Sequence, residues 1–352
     1  MKKYSIPVYF GVLHGINDFV AGNLLASYSL SHLHTQKTVM VYLAYSLLAF
    51  GGQLPVGWKL DANKKLKEFI ILSIVLLIAA CVSSSWFLVP AIIISGIASA
   101  FLHVSGGTVC FLNNTKSTIP AGIFTAPGVL GLILGGITGQ YTSNWLMWWT
   151  PALLLLFFIL LKINLPDYEV MDQPENEPIL ETHDYIMLIL LLAIAMRSMI
   201  WNILNVLAGQ HHTIWLLGIG IAAFAGKLFG GFITEKVDWK KYVFISIGLS
   251  ALLLSLGRNH LMLFCTGILL LQSAVPITLW MMQQFLRKQP AAATALSLGA
   301  AIILAGLPSY LYQFQALQQD NKLLSACFIL LLLLNVYWVF MTKRRKPFTK
   351  PN

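Results

Sequence analysis

Ionisable side chains are rare inside the apolar stretches of this sequence, and the few found there could handle protons. Asp18 is the only one of the thirteen acids that lies in the middle of an apolar stretch. His14 precedes it by four residues, a spacing that places both side chains on one face of a helix. His103 and Arg197 lie at comparable depths in two other apolar stretches. If these four side chains converge, they could exchange protons and bind an anion, because histidine titrates near neutral pH and arginine is a permanent cation.

The composition indicates the solvent that surrounds these stretches. Of the 352 residues, 57% are hydrophobic and only 10% are charged, whereas a soluble globular chain carries about 25% charged residues. Most of the surface therefore cannot face water, and we predict an integral membrane protein in a lipid bilayer. This composition excludes a nucleic-acid binder. The four cysteines lie in apolar segments without metal-ligand spacing, so we expect neither disulfides nor a metal site, and no cofactor.

Twelve apolar stretches have the length of roughly 20 residues that a helix needs to cross a bilayer. A single long connection, rich in Pro, Asp and Glu, divides them six and six. We therefore predict an all-α integral membrane protein with twelve transmembrane helices in two six-helix pseudo-symmetric bundles. The predicted spans are 5–32, 38–58, 67–85, 88–112, 119–140, 145–164, 184–207, 213–234, 241–257, 259–284, 291–314 and 322–342. The predicted units are an N-terminal bundle at 1–165, a cytoplasmic linker at 166–183, a C-terminal bundle at 184–342 and a basic tail at 343–352.

The basic residues indicate the orientation of these spans. When the loops are assigned to alternate sides, eighteen Lys and Arg residues fall on one side and three, Lys37, Arg258 and Lys322, fall on the other. Basic residues are enriched in cytoplasmic loops. Both termini are therefore predicted to be cytoplasmic, in the inner or plasma membrane of a cell, and the net charge of +10 is mainly a topology signal.

A loop motif occurs twice, at positions about half the chain apart. The first copy, GWKLDANKKLK, follows the second predicted span, and the second copy, GFITEKVDWKK, follows the eighth. Two six-helix halves in parallel repeat are typical of secondary transporters, which bind substrate near the midplane between the halves. The motif residues are Gly57, Asp61 and Lys65 in the first copy and Gly231, Glu235 and Lys240 in the second.

Both copies resemble the loop motif of the major facilitator superfamily, although the glycine that follows the acid in that motif is missing from each. The first half is also similar to fosmidomycin-resistance-like exporters, through LHGINDF in the first span, QLPVGWKLD at the end of the second and His103 in the fourth. The proline and glutamate that follow the histidine in those exporters are Val104 and Ser105 here. The superfamily resemblance implies that the first, fourth, seventh and tenth helices line a central cavity. It also implies that the motif acids act in a gate.

This arrangement suggests roles for the polar residues of the spans. We expect Asp18 to bind the coupling proton, with Arg197 as its cationic partner. His14 and His103 are expected to relay protons or to contact substrate. Lys227, in the eighth span, is expected to be structural more than substrate-binding. Further side chains expected in the substrate cavity are Asn17, Asn202, Asn205, Gln272 and Trp280.

The predicted function is secondary active transport of a small molecule by alternating access, in the form of proton-coupled efflux by a monomer that is not an enzyme. Proton-coupled uptake of a small metabolite is the alternative. Two other classes stay open. His14 and Asp18 also match the HxxxD of some acyltransferases, in which the histidine is a general base. A transporter fold can also serve signalling or assembly without transport.

Overall fold

All regular structure in the described part of this chain is helical, without a strand. The computed structural model describes residues 4–31, 36–168, 181–209, 213–257, 259–305 and 321–343. The helices are α1 (Ser5–Ser31), α2 (Gln36–Ser46), α3 (Gln53–Asn63), α4 (Leu66–Ser83), α5 (Leu88–Asn113), α6 (Ile119–Gly139), α7 (Thr150–Lys162), α8 (Glu181–Gly209), α9 (Thr213–Lys236), α10 (Trp239–Leu256), α11 (Leu261–Ser273), α12 (Val275–Phe285), α13 (Pro290–Ala295) and α14 (Asn321–Lys343).

Nine helical stretches of the described residues are long and apolar enough to cross a membrane. Two shorter apolar helices, Pro290–Ala305 and Ser325–Tyr337, accompany them. Bulky hydrophobic side chains such as Leu155, Phe158 and Phe229 are more than half exposed, which is the arrangement expected where lipid is the solvent. The structure confirms a multi-pass, all-α membrane protein. The count of twelve spans in two bundles stays a prediction.

Helices occupy the predicted spans as far as the chain is described, with ends that differ by a few residues. Residues 306–314 of the eleventh predicted span lie outside the described residues, as do Arg258, 169–180 of the predicted linker and 344–352 of the predicted tail.

Three irregularities near the middle of the described helices were not predicted from the sequence. Leu47–Gly51 and Leu296–Ala300 are π-helical turns, and a methyl group at Gly299 would lie 2.5 Å from the carbonyl oxygen of Phe50, so the two turns face each other. Such turns within α-helices are frequent at functional sites. The third irregularity is the break between α11 and α12. It falls just before Pro276, because proline lacks an N–H and its ring clashes with the preceding turn.

Helices α1 and α6 pack closely because glycines line their contact. A methyl group at Gly131 would overlap with the carbonyl oxygen of Gly15, and one at Gly135 would overlap with that of Phe19. Small residues let helix backbones approach in membranes. This contact fixes the middle turn of α1, where the ionisable residues lie, against α6.

Buried hydrophobic side chains form two clusters. One comes mainly from α1 to α7 and includes Ala291 and Ala295 of α13. The other comes mainly from α8 to α14 and includes Val129 and Ile133 of α6. Helices α13 and α6 therefore each contribute to the core of the other part of the chain.

Candidate functional site

Asp18 on α1 lies between two imidazoles. Its Oδ2 lies 3.1 Å from Nε2 of His14, and its Oδ1 lies 3.7 Å from Nε2 of His103 on α5. The two rings meet edge to face with centroids 4.6 Å apart, and the two histidines are only 4% and 6% exposed. The structure thus brings together three of the four residues expected to take part in proton coupling.

Backbone carbonyls determine which nitrogen of each ring carries a hydrogen. Nδ1 of His14 lies 2.8 Å from the carbonyl oxygen of Phe124, and Nδ1 of His103 lies 2.8 Å from that of Ser99. A carbonyl can only accept, so each Nδ1 donates, and Nε2 of a neutral ring then holds a lone pair. Nε2 of His14 consequently faces a carboxylate oxygen of Asp18 at 3.1 Å. That contact is favourable only if a cation, of which the proton is the smallest, lies between the two atoms.

Two neighbours restrict the carboxylate further. Asn17 donates from Nδ2 to Oδ1 of Asp18 at 2.9 Å and to Oγ of Ser99 at 3.1 Å. Gly128 on α6 lies directly against the pair, because a methyl group there would overlap with Nε2 of His14 and lie 2.7 Å from Oδ2 of Asp18. Gly128 lies in the fifth predicted span, 119–140, whose many glycines are a signal of close helix packing.

The same three side chains could in principle surround a metal ion. His14, Asp18 and His103 each offer one ligand atom, and these atoms lie within 4.8 Å of one another. Imidazole and carboxylate groups bind transition metals as well as protons. A metal ion would use the lone pairs that a proton uses, and the absence of a metal site stays a prediction of the sequence.

Arg197 on α8 contacts a hydroxyl group instead of Asp18. Its Nη1 donates to Oγ1 of Thr278 on α12 at 3.0 Å, and the residue is 6% exposed. Within the described residues, no ion pair joins the guanidinium to a carboxylate, so the histidines occupy the place beside Asp18 where Arg197 was expected.

Lys227 on α9 belongs to the same region, although the sequence analysis favoured a structural role for it. Its Nζ lies 3.4 Å from the carbonyl oxygen of Thr125. Its positive charge is attracted by Asp18 and repelled by Arg197. An ionisable side chain within a membrane span indicates a functional site, and this applies to Lys227 as much as to Arg197.

A cavity of about 340 Å³ joins these groups. Its described lining includes His14, Asp18, His103, Arg197 and Lys227, together with two of the expected polar residues, Asn202 and Gln272. Both π-helical turns border it, through Phe50 and through Ser297 and Leu298. Aromatic and aliphatic side chains make up most of the remaining wall, including Tyr42, Tyr45, Val129, Ile194, Trp201, Leu279 and Ile303.

Three residues expected in this cavity are not among its lining residues. Asn17 is buried beside Asp18. Asn205 donates to the carbonyl oxygen of Trp201, one turn earlier on α8. Trp280 donates from Nε1 to the carbonyl oxygen of Thr115 and borders a separate, smaller pocket.

Asp61 of the first motif connects α3 to the start of α13. Its Oδ1 accepts from the N–H of Ala291 at 3.0 Å, and its Oδ2 accepts from the N–H of Ala292 at 2.8 Å. Tyr168, which follows α7, donates its hydroxyl to the same carboxylate. Gly57 lies one turn before Asp61, and a methyl group there would lie 2.9 Å from the carbonyl oxygen of Ala291. The acid therefore caps a helix from the second half of the chain, and the glycine lets that helix approach.

Glu235 of the second motif caps the start of α6. It accepts from the hydroxyl of Ser117 and, at 3.1 Å, from the N–H of Thr118. Gly231 again allows the approach, because a methyl group there would lie 3.2 Å from the carbonyl oxygen of Thr118. Carboxylates are favourable at helix N-termini, where N–H groups lack intrahelical partners. Each motif thus caps a helix from the other half of the chain.

The motif lysines make local contacts. Lys65 pairs with Glu68 at 3.2 Å on an exposed surface. The N–H of Lys240 donates to Oδ1 of Asp238 at 3.0 Å, and its ammonium lies 5.4 Å from the centre of the Trp239 ring.

Three known structures with similar folds are transporters, and two of them are structures of one protein. No family model and no curated protein sequence matches this chain. A variant of the E. coli fucose:proton symporter FucP matches with a TM-score of 0.68 and 13% identity, over 96% of this chain and 99% of that chain. FucP in the outward conformation, a major facilitator superfamily transporter, matches with a TM-score of 0.62 and 11% identity, over 94% and 99%. The human organic anion transporter MFSD10 matches with a TM-score of 0.62 and 14% identity, over 97% and 99%. The chain therefore has the fold of major facilitator superfamily transporters.

Proposed function

We propose that the protein is a secondary active transporter that moves a small molecule by alternating access, with proton coupling through Asp18, His14 and His103. The contact of 3.1 Å between His14, which is buried, and Asp18, which is partly exposed, carries this proposal, because it needs a cation between the two atoms and a proton is the smallest one. The same groups line the central cavity, so the proton can be exchanged with whichever side the cavity faces. The proposed cargo is a small molecule carried by a monomer.

The two capping contacts supply the gate of this cycle. Asp61 holds α13, and Glu235 holds α6, at the end of the molecule that carries both motifs. With both termini in the cytoplasm of a cell, as proposed from the basic residues, this end is cytoplasmic and closed. Losing one side-chain cap costs about 0.5–2 kcal/mol, which is small enough for the contacts to break in every cycle.

Proton-coupled efflux is the first candidate for the direction of transport, supported by the similarity of the first half to exporters. Proton-coupled uptake is the second candidate, favoured by the fold shared with a fucose:proton symporter. Catalysis by an HxxxD pair is disfavoured, because Nδ1 of His14 is bound to the carbonyl oxygen of Phe124 and Nε2 faces Asp18. Both nitrogens thus face groups of the protein, so neither is directed at a substrate from which it could take a proton as a general base.

Transport in proteoliposomes with an imposed pH gradient tests the coupling. A substrate screen would compare the wild type with Asp18→Asn, in buffers that contain a chelator so that no metal ion competes with the proton. Asp167→Asn is the matched control, because Asp167 is exposed and lies beyond α7. We expect Asp18→Asn to abolish flux driven by the pH gradient while substrate exchange down its own gradient survives. Full gradient-driven flux in Asp18→Asn would refute the proposal.

A further inference from the structure

The charges on the cavity wall do not balance. Among the described residues that line the cavity, Asp18 is the one carboxylate, and it already faces two imidazoles. Arg197 and Lys227 line the same cavity, and within the described residues neither forms an ion pair with a carboxylate. The described part of the wall therefore carries one more positive than negative charge when Asp18 is ionised and both histidines are neutral.

Arg197 shows the imbalance most clearly. It is 6% exposed, and its described hydrogen bond is the single one from Nη1 to Thr278, although a guanidinium offers five N–H donors in a planar fork. A charge buried without a counter-ion is unfavourable. A bound anion would offset that cost and could accept two parallel hydrogen bonds from the fork.

Lys227 adds a second cation beside it. Its described contact, to the carbonyl oxygen of Thr125, is long at 3.4 Å, which leaves its ammonium available to another acceptor. Gly226, the preceding residue, packs so closely that a methyl group there would overlap with the carbonyl oxygen of Leu269. This packing fixes α9 against α11, and Lys227 lines the cavity together with Arg197.

The rest of the wall limits the ligand. Aromatic and aliphatic side chains, among them Phe50, Trp201 and Leu279, line most of the cavity. Its volume of about 340 Å³ is near the lower end of the range for small-molecule sites. We infer that the cavity binds a small organic anion, with the acidic group held by Arg197 and Lys227 and the apolar part against these side chains. The inference rests on the proposed function of the same cavity, and it names the class of cargo.

Calorimetric titration of the purified full-length protein in detergent tests this assignment. The probes are benzoate, hexanoate and phenylphosphonate, with benzamide and hexanamide as neutral counterparts of the carboxylates and benzylammonium as a cation of similar size. The variants are Arg197→Gln, Lys227→Gln and their combination, and Lys59→Gln is the control because Lys59 is exposed on α3. Arg197→Lys keeps the charge should the glutamine variant fail to fold.

At least one anion should bind the wild type, and its neutral counterpart should bind about tenfold more weakly or worse. Arg197→Gln should lower the affinity for that anion by a similar factor, with partial recovery in Arg197→Lys and no change in Lys59→Gln. Equal binding of amides, preferred binding of benzylammonium, unchanged affinity in the double variant, or no binding of any anion would overturn the assignment. Asp18→Asn separates the two proposals: anion binding together with unaltered gradient-driven flux in that variant would refute the proton coupling alone.

Discussion

The contact between His14 and Asp18 leaves no space for a methyl group on the neighbouring helix. A side chain at Gly128 would overlap with Nε2 of His14, and nothing lies within 4 Å of a methyl group at Gly136, two turns further along α6. Gly128→Ala should therefore displace the pair and greatly reduce gradient-driven transport, or destabilise the protein by about 1–3 kcal/mol. Gly136→Ala is the matched control and should behave as the wild type. Normal coupling in Gly128→Ala would show that the pair does not need its present position.

The two histidines should differ in their importance for coupling. Nε2 of His14 lies 3.1 Å from the carboxylate of Asp18, whereas that of His103 lies 3.7 Å away. A glutamine side chain can donate to a carboxylate, but it cannot carry an additional proton. We expect His14→Gln to reduce gradient-driven flux by about tenfold or more, as loss of a positioned proton-transfer group does. His103→Gln should have a smaller effect, and the reverse order would contradict the shared proton at His14.

Sequence reasoning identified this cluster because spacing along a helix fixes which side chains share a face. The pairing of His14 with Asp18 follows from four residues of separation. The pairing of Asp18 with Arg197 rested on depth alone, and depth gives one coordinate of three. The lateral position of Arg197, beside Thr278, comes from the packing of α8 against α12, which no local pattern reveals.

Each of the two motif acids connects the end of its own helix to the start of another helix. Asp61 caps α13 and Glu235 caps α6, each across the boundary between the two parts of the chain. Asp61→Ala and Glu235→Ala each remove the capping oxygens, so each should weaken the proposed closed state by about 0.5–2 kcal/mol, and the double variant should open further. Spin labels at the C-terminal end of α3 and at the start of α13 would report the distribution of distances between these two helices. Glu68→Gln is the control, because Glu68 pairs with Lys65 on the exposed surface of the same region. An unchanged distribution in the double variant would exclude a gate at these contacts.

Tyr168 strengthens the contact at Asp61 and adds a prediction of its own. Burial, together with its hydrogen bond to Asp61, raises the pKa of the Tyr168 phenol well above its ordinary value. The phenol is therefore a neutral donor at every pH below that raised pKa, so titration of Tyr168 itself does not change its hydrogen bond to Asp61 in the physiological range. Tyr168→Phe should weaken the contact between α3 and α13 at Asp61 by about 0.5–1.5 kcal/mol at both pH 6 and pH 8. A loosening at only one of these pH values would show that another group controls the contact.

The helices themselves were predictable from hydropathy because each needs enough apolar residues to cross the bilayer. The interruptions within the helices could not be predicted in this way. The π-helical turn Leu47–Gly51 lies in an uninterrupted apolar stretch, and it faces Leu296–Ala300 only after the two parts of the chain have packed together. The capping partners of Asp61 and Glu235 could not be predicted for the same reason. The N–H groups of Ala291 and Thr118 reach these acids only after the two parts of the chain have packed together.

At the scale of the whole molecule, the two motifs lie at one end and the cavity lies between the two parts of the chain. Its walls come from α1 and α5 on one side and from α8, α9 and α11 on the other, through His14, His103, Arg197, Lys227 and Gln272. A cavity with walls from both halves can open toward either side if the halves rock about it. We expect the end that carries the two motifs to face the cytoplasm, because basic residues are enriched in cytoplasmic loops.

Single-cysteine labelling in intact cells tests that orientation and the membrane crossing between Lys37 and Lys65. Cys81, Cys110 and Cys327 are buried and Cys265 is partly exposed, so all four would be replaced before new cysteines are introduced. Lys37→Cys, at the start of α2, should react with a membrane-impermeant reagent added from outside. Lys65→Cys, between α3 and α4, should react only after the membrane is opened, because one span separates the two positions. Labelling of both positions from the same side would contradict the crossing between them. Exchanged accessibility would reverse the orientation and place the gate of Asp61 and Glu235 on the outer side.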